Sequence, residues 1–317
     1  VIAFARARFR QWMANRLPAD DTATLTQRNI YILPTRAGFM FALTLLVMLL
    51  AAINYQLNLG FALTFLLAGA GLVSMHLTHG NLRGLVLHLR PPLPVFAGQP
   101  AVLEVVVTNP RRLRLGLGLR VQDAPAKATV WIDAPAAGSE TLHLSMVPPT
   151  RGRHGVPLLV IETVFPFGLF RAWSVWRPAA QVLAWPQPEV PAPPLPVVNT
   201  QPGENTVVRR GDGGELDGVR PWRRGDSMRQ VVWKKVARSG ELVSRETTAA
   251  GQRELWLEYA ATAAPGVEQR LSRLAAWVLA AEAQGLAHGL RLPGQTLAPN
   301  QGDAHRRAAL DLLGEFA

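Results

Sequence analysis

"AGFMFALTLLVMLLAAINYQLNLGFALTFLLAGAGLVSMHLTHGNL", residues 37–82, runs for 46 residues between Arg36 and Arg83 without a Lys, Arg, Asp or Glu. In a chain that is 17% charged, a window of that size would hold about eight such residues. It divides into an apolar segment, "AGFMFALTLLVMLLAAI", a polar turn, "NYQLN", and a second apolar segment, "LGFALTFLLAGAGLVSM". Each apolar segment is roughly 17 to 20 residues, long enough at about 1.5 Å per residue to cross about 30 Å of hydrocarbon. A two-helix transmembrane hairpin is therefore expected over 35–80. The same composition fits a helical hairpin buried in a soluble core, although such helices usually keep a polar edge. A cleaved signal peptide fits less well, because two segments follow one another and the first begins near residue 37.

The flanks orient the hairpin. Arg6, Arg8, Arg10, Arg16, Arg28 and Arg36 precede it, Arg83 and Arg90 follow it, and its turn carries no charge. The positive-inside bias puts both ends in the cytoplasm, with residues 1–34 as a basic cytoplasmic segment. "IAFARARFRQWMANRL", residues 2–17, reads either as a basic amphipathic helix on the anionic leaflet or as a frayed terminus. His76 and His79 have a spacing that permits a shared metal. Without a carboxylate partner they read as polar residues at the interface.

The formal charge of +11 looks like a nucleic-acid binder's until it is divided along the chain. Residues 1–90 hold 8 cations and 2 anions, residues 91–200 hold 9 and 6, and residues 201–317 hold 16 and 14. The excess of +6, +3 and +2 thus lies mainly before and around the hairpin, whereas nucleic-acid binding needs it on the folded domain. The chain has no Cys, which removes disulfides, thiolate nucleophiles and Cys-ligated metals.

From Leu85 to Trp185 the hydrophobic period falls to two. "AVLEVVVTNP", "GLGLRVQDAP", "ATVWIDAP", "ETLHLSMVPP", "PLLVIETVFP" and "FRAWSVWRP" are short strands punctuated by Pro and Gly. They predict an antiparallel β-sandwich of immunoglobulin type over 81–186. "WPQPEVPAPPLPVVNTQPG", from Trp185 to Gly203, suits neither a central strand nor a helix interior. An extended Pro-rich linker is expected over 187–206, a spacer or a polyproline ligand.

Residues 207–317 begin with a basic stretch, "LDGVRPWRRGDSMRQVVWKKVARSGELVSRE", 216–246. A short helix is expected over 227–239, with Asp226 as N-cap, Gly240 as stop, and Met228, Val231, Val232 and Val236 on one face. Arg229 and Trp233 stand four apart on it, the spacing of a cation–π pair. "ELVSRETT" reads as a strand with Arg245 and Glu246 on opposite sides. Cations interleaved with Trp suit phosphates and bases. Against nucleic acid stand Asp212, Glu215, Asp217, Asp226, Glu241 and Glu246, which equip the stretch for internal ion pairs. A partner or anion site is the third reading.

The strand "ELWLEYA", a helix from Val267 to about Ala283, the strand "LAHGLRL" and a helix in "DAHRRAALDLLGEF" then form a βαβα unit, which predicts a small parallel sheet. The unit resembles half of a von Willebrand factor type A domain. Such domains bind Mg²⁺ through Asp-x-Ser-x-Ser after the first strand, and here Glu258, Ala260 and Thr262 stand at those positions. The serine hydroxyls are missing and no metal is expected.

From about Thr35 to the C-terminus the chain resembles the membrane-anchored bacterial family known as domain of unknown function 58. The resemblance rests on "NYQLN", "NLRGL", the "NP" that closes an early strand, "RGRHGV", "TVFPFGLFRAW" and above all "ELDGVRPWRRGDSMRQVVWKKVARSGELVSRE". The family motif falls on Gly218, Arg220, Trp222, Gly225, Asp226, Arg229, Trp233, Lys234, Ala237 and Arg238, then Arg245 and Glu246; Arg223, Arg224 and Lys235 lie among them. The resemblance implies a module often encoded beside MoxR-type AAA+ ATPases and transglutaminase-like membrane proteins, and hence an assembly or cell-envelope role. The leading expectation is a two-pass protein of the bacterial inner membrane, an adaptor whose motif meets an ATPase. No nucleic acid, cofactor, catalytic group or metal is expected. The competing class is a hydrolase-like enzyme using Asp226 and a nearby His. The chain has no Gly-x-Ser-x-Gly, His-Glu-x-x-His or phosphate loop, and His154, His288 and His305 are read as isolated.

Overall fold

The computed structural model describes residues 17–122, 124–125, 128–196, 216–221, 243–247 and 255–316, with 216–221 and 243–247 described by backbone alone. The chain forms two compact units, Val1–Pro188 with Leu310–Ala317, and Glu189–Ala309. Two apolar helices near the N-terminus are followed by antiparallel β-sheets and a C-terminal α/β region.

In the first unit the helices are α1 (Arg36–Tyr55) and α2 (Asn58–Leu82), of 20 and 25 residues. At about 1.5 Å per residue they span roughly 30 and 38 Å, and both are long and apolar enough to cross a membrane. Their surface is inverted relative to a soluble hairpin. Phe39, Leu43, Leu46, Leu50, Leu59, Phe65 and Leu66 are exposed, while Gly38, Thr64, Gly71, Ser74, Thr78 and Asn81 are buried. Small and polar residues let helix backbones approach closely, and apolar ones facing outward suit lipid. Thr64 and Thr78 satisfy their hydroxyls by donating to the carbonyls of Gly60 and Ser74, one turn back (2.7 and 2.9 Å). A hairpin buried in a soluble core would show the opposite distribution.

The helices interrupt a body of two facing sheets. Strands β1 (Thr22–Thr24) and β2 (Tyr31–Pro34) precede the hairpin. After it come β3 (Val86–Leu89), β4 (Val95–Phe96), β5 (Ala101–Asn109), β6 (Arg114–Val121), β7 (Val130–Ala134) and β8 (Gly138–Met146). Then follow β9 (Gly152–Gly155), β10 (Leu159–Thr163), β11 (Phe170–Trp176) and β12 (Gln181–Trp185). One sheet has the order β1-β3-β5-β8, the other β2-β11-β10-β6-β7, and neighbours in both are antiparallel. A small third sheet, β4-β12-β9, pairs β12 parallel to β4. Alternation along β5 turns Ala101, Leu103, Val105 and Val107 inward, where they join Leu87 and Leu142 from the same sheet and Leu117, Leu119, Leu159 and Ile161 from the other in one core.

The basic segment expected over 1–34 is corrected in its second half, while residues 1–16, which hold most of the helix expected over 2–17, lie outside the described residues. Residues 22–34 supply a strand to each sheet, because Thr22–Thr24 pair with Val86–His88 and Tyr31–Pro34 pair with Phe170–Trp173. Three- and four-residue strands carry too little alternation to be read from sequence.

In the second unit β13 (Leu216–Pro221) and β14 (Val243–Thr247) form an antiparallel pair. Then come β15 (Leu255–Glu258), a 3-10 turn (Tyr259–Thr262), α3 (Val267–Ala283), β16 (His288–Leu292), β17 (Gln295–Asn300) and α4 (Asp303–Glu315), whose residues from Leu310 onward are counted with the first unit. Strands β15 and β16 are parallel, as the βαβ pattern predicts, but β17 returns antiparallel to β16. The sheet is therefore mixed. Pro293 and Gly294, the latter at φ +79°, turn the chain back, and Pro299 sits in an outer strand, where a missing N–H is tolerated.

Of the linker expected over 187–206, residues 197–206 lie outside the described residues, and the described part is not a free spacer. Residues 189–194 lie along α3: Glu189 N donates to Ser272 O (3.1 Å), Trp277 Nε1 donates to Pro194 O (2.9 Å), and Arg273 pairs with Glu189 (2.9 Å). The prolines make an extended strap along the helix, bonded to it at Ser272, Arg273 and Trp277. The side-chain hydrogen bond from Arg273 holds the Glu189 carboxyl below its ordinary pKa.

Candidate functional site

Four motif residues fall on the β13–β14 pair. Gly218 is the Cα partner of Glu246, Val219 of Arg245, and Arg220 of Ser244, with a register shift between Leu216 and Gly218. Because successive strand positions alternate between faces, Arg220 and Arg245 occupy opposite faces of the pair, as do Arg245 and Glu246. Trp222, Arg223, Arg224, Gly225, Asp226, Arg229, Trp233, Lys234, Lys235 and Arg238 lie outside the described residues, and so does the helix expected over 227–239.

The strand end after β15, where a type A domain would hold its metal, is committed to internal bonds. Glu258 Oε1 receives Arg291 Nη1 (2.6 Å), Ala260 offers no side-chain donor atom, and the Thr262 hydroxyl donates back to Tyr259 O (2.8 Å). Arg273 Nη1 donates to Thr262 O (2.6 Å), and the Arg270 guanidinium lies 5.1 Å over the Tyr259 ring. On the sheet face beside it the Arg291 guanidinium stacks 4.0 Å from the Trp256 ring. That ring fills the space a side chain at Gly289 would need: an added Cβ would come within 2.7 Å of Trp256 Cε3. Among the described residues no three His, Asp or Glu gather closely enough to hold a metal, His76 and His79 included.

His288 and His305, expected to be isolated, meet. Their rings stand 4.8 Å apart at 66°, His305 Nε2 lies 2.6 Å from His288 O, and His288 Nδ1 lies 3.1 Å from Leu286 O. Seventeen residues separate them in sequence, and only the return of α4 to the start of β16 joins them. Burial is the main cause of a lowered His288 pKa. The charge of His305 lowers it further, while the bond to Leu286 O and the charge of Glu282 oppose the shift. The buried His288 Nε2 has no hydrogen-bond partner among the described residues. His154 is engaged separately, its Nε2 2.6 Å from Thr150 O.

The most extensively built site in the first unit is the root of the hairpin, which sequence reasoning missed. Only Thr35 separates β2 from α1, and it caps the helix by accepting Gly38 N (3.1 Å). Its hydroxyl donates to Gly168 O (2.6 Å), and its N–H donates to Leu169 O (2.9 Å). Gly38 presses so closely on this loop that a Cβ would stand 2.1 Å from Leu169 O. At the other helix end Asn81 Nδ2 donates to Leu115 O (2.8 Å) and Thr163 Oγ1 (3.0 Å). Arg114 donates to Gly80 O and to Arg83 O (3.3 Å), placing a cation on the closing carbonyls of α2. Burial, then the charges of Arg112 and Arg111, lower its pKa below the ordinary arginine value. Both helices are thereby fixed to the strand ends at one end of the β2-β11-β10-β6-β7 sheet. The one sequence signal was Asn81, an amide at the end of a helix without charge. The comparisons with known proteins give no match: neither a family model nor a curated protein aligns with the chain.

Proposed function

We propose that the chain is a membrane-tethered interaction protein. In this reading the helical hairpin crosses a bacterial inner membrane, with both termini and both folded units in the cytoplasm. The observation that carries it is the inverted hairpin, apolar outside and polar within, rooted in a folded body at both ends. Pairing of β1 with β3 and of β2 with β11 supports an even number of crossings, because residues 22–34 and 86–176 must share one side. The arginines flanking the hairpin favour the cytoplasmic side.

The two facing sheets act as a spacer of immunoglobulin type, and the second unit as a truncated von Willebrand factor type A domain. The order strand, helix, strand, strand, helix supports the latter, and the internal use of Glu258 and Thr262 fits a version without metal. The family resemblance supplies the partner: a MoxR-type AAA+ ATPase, met by the motif from Gly218 to Glu246 and serving assembly or cell-envelope work. A transglutaminase-like membrane protein is a second candidate for the same complex.

The test has two arms. A reporter fused at the C-terminus should be active in the cytoplasm; activity outside it overturns the topology. The full chain, solubilised in detergent, should capture an AAA+ ATPase from its own cells. Charge reversal at Arg223, Arg224, Lys234 and Lys235 should abolish that capture, mainly by slowing association. Undiminished capture by the reversed protein removes the motif as the docking surface.

A further inference from the structure

One end of the two-sheet body carries more than the helices. The strands β2, β7 and β10 end there, and β6 and β11 begin there, so the loops between them gather around the hairpin root. Loop 164–169, between β10 and β11, is bound to the first turn of α1 through Thr35 and Gly38. Turn 110–113, between β5 and β6, lies beside the last turn of α2, since Arg114 holds Gly80 O and Asn81 reaches Leu115 O. Asn109 Nδ2 ties that turn to its neighbour by donating to Arg112 O (2.8 Å) and Pro135 O (2.9 Å). These loops are thus held at the level where the helices leave the body.

Their composition is unusual for exposed turns. Leu113 is 54% exposed, Phe167 66%, Phe165 38%, and Leu33, at the end of β2, 58%. Beside them Arg36, Arg83, Arg111 and Arg112 are exposed. The carboxylates near this end are Glu162, paired with Arg171; Asp133, which accepts Gly116 N (2.7 Å); and Glu140. The far end carries Asp20 and Asp21, with Asp21 accepting from Ala179 N and Ala180 N. Aromatic and apolar side chains ringed by arginine match the chemistry of the membrane–water interface, where rings settle at headgroup depth and cations meet anionic lipid.

We propose that this end of the two-sheet body docks on the anionic headgroup layer of the bilayer its own helices cross. Leu33, Leu113, Phe165 and Phe167 enter the interfacial zone, and Arg36, Arg83, Arg111 and Arg112 pair with lipid phosphates. The body then stands end-on against the membrane instead of swinging from a tether. This rests on the hairpin spanning a bilayer, so the experiment reads the two separately.

The chain has no Cys, so single cysteines introduce a unique label. The full chain in nanodiscs of mixed phosphatidylglycerol and phosphatidylcholine is labelled with an environment-sensitive fluorophore at L50C, L113C, F167C or V102C. Quenching is measured with lipids carrying a nitroxide on the headgroup or deep in the acyl chain. Leu50 is exposed within α1 and reports the span; Val102 is exposed on β5, seven residues before Asn109, roughly 23 Å from the root end at about 3.3 Å per residue. The expected result is deep quenching at L50C, headgroup quenching with a blue shift at L113C and F167C, and neither at V102C. R111Q/R112Q should lower headgroup quenching at L113C at least twofold. If L50C is quenched while L113C and F167C behave like V102C, the docking is wrong and the hairpin stands. If L50C is not quenched, the membrane reading falls and takes the docking with it. Unchanged quenching in R111Q/R112Q refutes the phosphate pairing.

Discussion

Asn81→Ala should loosen the root of the hairpin, and the size of the effect follows from its two hydrogen bonds. Asn81 is 5% exposed and spends both amide protons on the body, one on Leu115 O and one on Thr163 Oγ1. Each bond contributes about 1 kcal/mol, and an acceptor left buried without its donor costs about 1 to 3 kcal/mol. Thr163 Oγ1 still accepts Phe165 N (3.3 Å), so the larger penalty falls at Leu115 O. A loss of about 2 to 4 kcal/mol is expected, a large share of the ~5 to 15 kcal/mol that keeps a domain folded. Thr163→Val removes the same side-chain bond from the other partner and should cost about 1 to 2 kcal/mol. Because the bond can be lost only once, the double variant should be more stable than the sum of the two by about 1 kcal/mol. Denaturant unfolding of the full chain in one detergent, as a double-mutant cycle, measures this term. Additivity within about 0.3 kcal/mol would mean that the two side chains do not communicate and that the root is held by packing alone.

Three further outcomes follow from close approaches and from one buried base. Gly38→Ala forces a Cβ against Leu169 O and should destabilise by about 1 to 3 kcal/mol, whereas Gly69→Ala, with no neighbour within 4 Å, should stay within about 1 kcal/mol of the parent; thermal unfolding in detergent compares them. Gly289→Ala drives its Cβ into the Trp256 ring that Arg291 covers, and should cost about 1 to 3 kcal/mol, seen as faster amide exchange in β15 and β16. His288 has a lowered folded pKa, so the unfolded chain binds the extra proton: the stability it contributes is present above pH ~6.5 and is lost as pH falls, by at most about 1.4 kcal/mol per unit. The opening free energy of the second unit, taken from amide exchange after correction for the intrinsic pH dependence of exchange, should fall below that pH, and His288→Gln should flatten the dependence; an unchanged slope would refute the assignment.

How far the sequence could be read depended on pattern length. The hairpin was legible because charge is absent over 46 residues, and β5 because four inward apolar residues alternate from Ala101 to Val107. Strands β1 and β2 were not, since three or four residues cannot distinguish a period. Strand β17 hid behind Pro299, which argues against a central strand but is harmless in an outer one. The strap over α3 hid behind its prolines: they exclude regular structure without excluding contact, and Trp277 needed a partner for its indole N–H that Pro194 O supplies. Long-range polar pairs, Asn81 with Thr163 and His288 with His305, have no local signature at all. The motif that carried the family resemblance reaches the described structure at Gly218, Arg220, Arg245 and Glu246 alone, where it gives register and faces.

The insertion of the hairpin between β2 and β3 also sets an order of events on the ribosome. β2 is made before either helix, yet its partner β11 arrives 140 residues later, Ala172 against Ile32, which is roughly 7 to 30 s of translation at about 5 to 20 residues per second. In the proposed topology the nascent chain holds, for that interval, an unpaired strand on one side of the membrane while the two helices insert. In that topology, closure of the sheets reports that both crossings have been completed. A protein that inserts only one helix leaves β2 and β11 on opposite sides, unable to close, and open to the proteases that clear failed insertions.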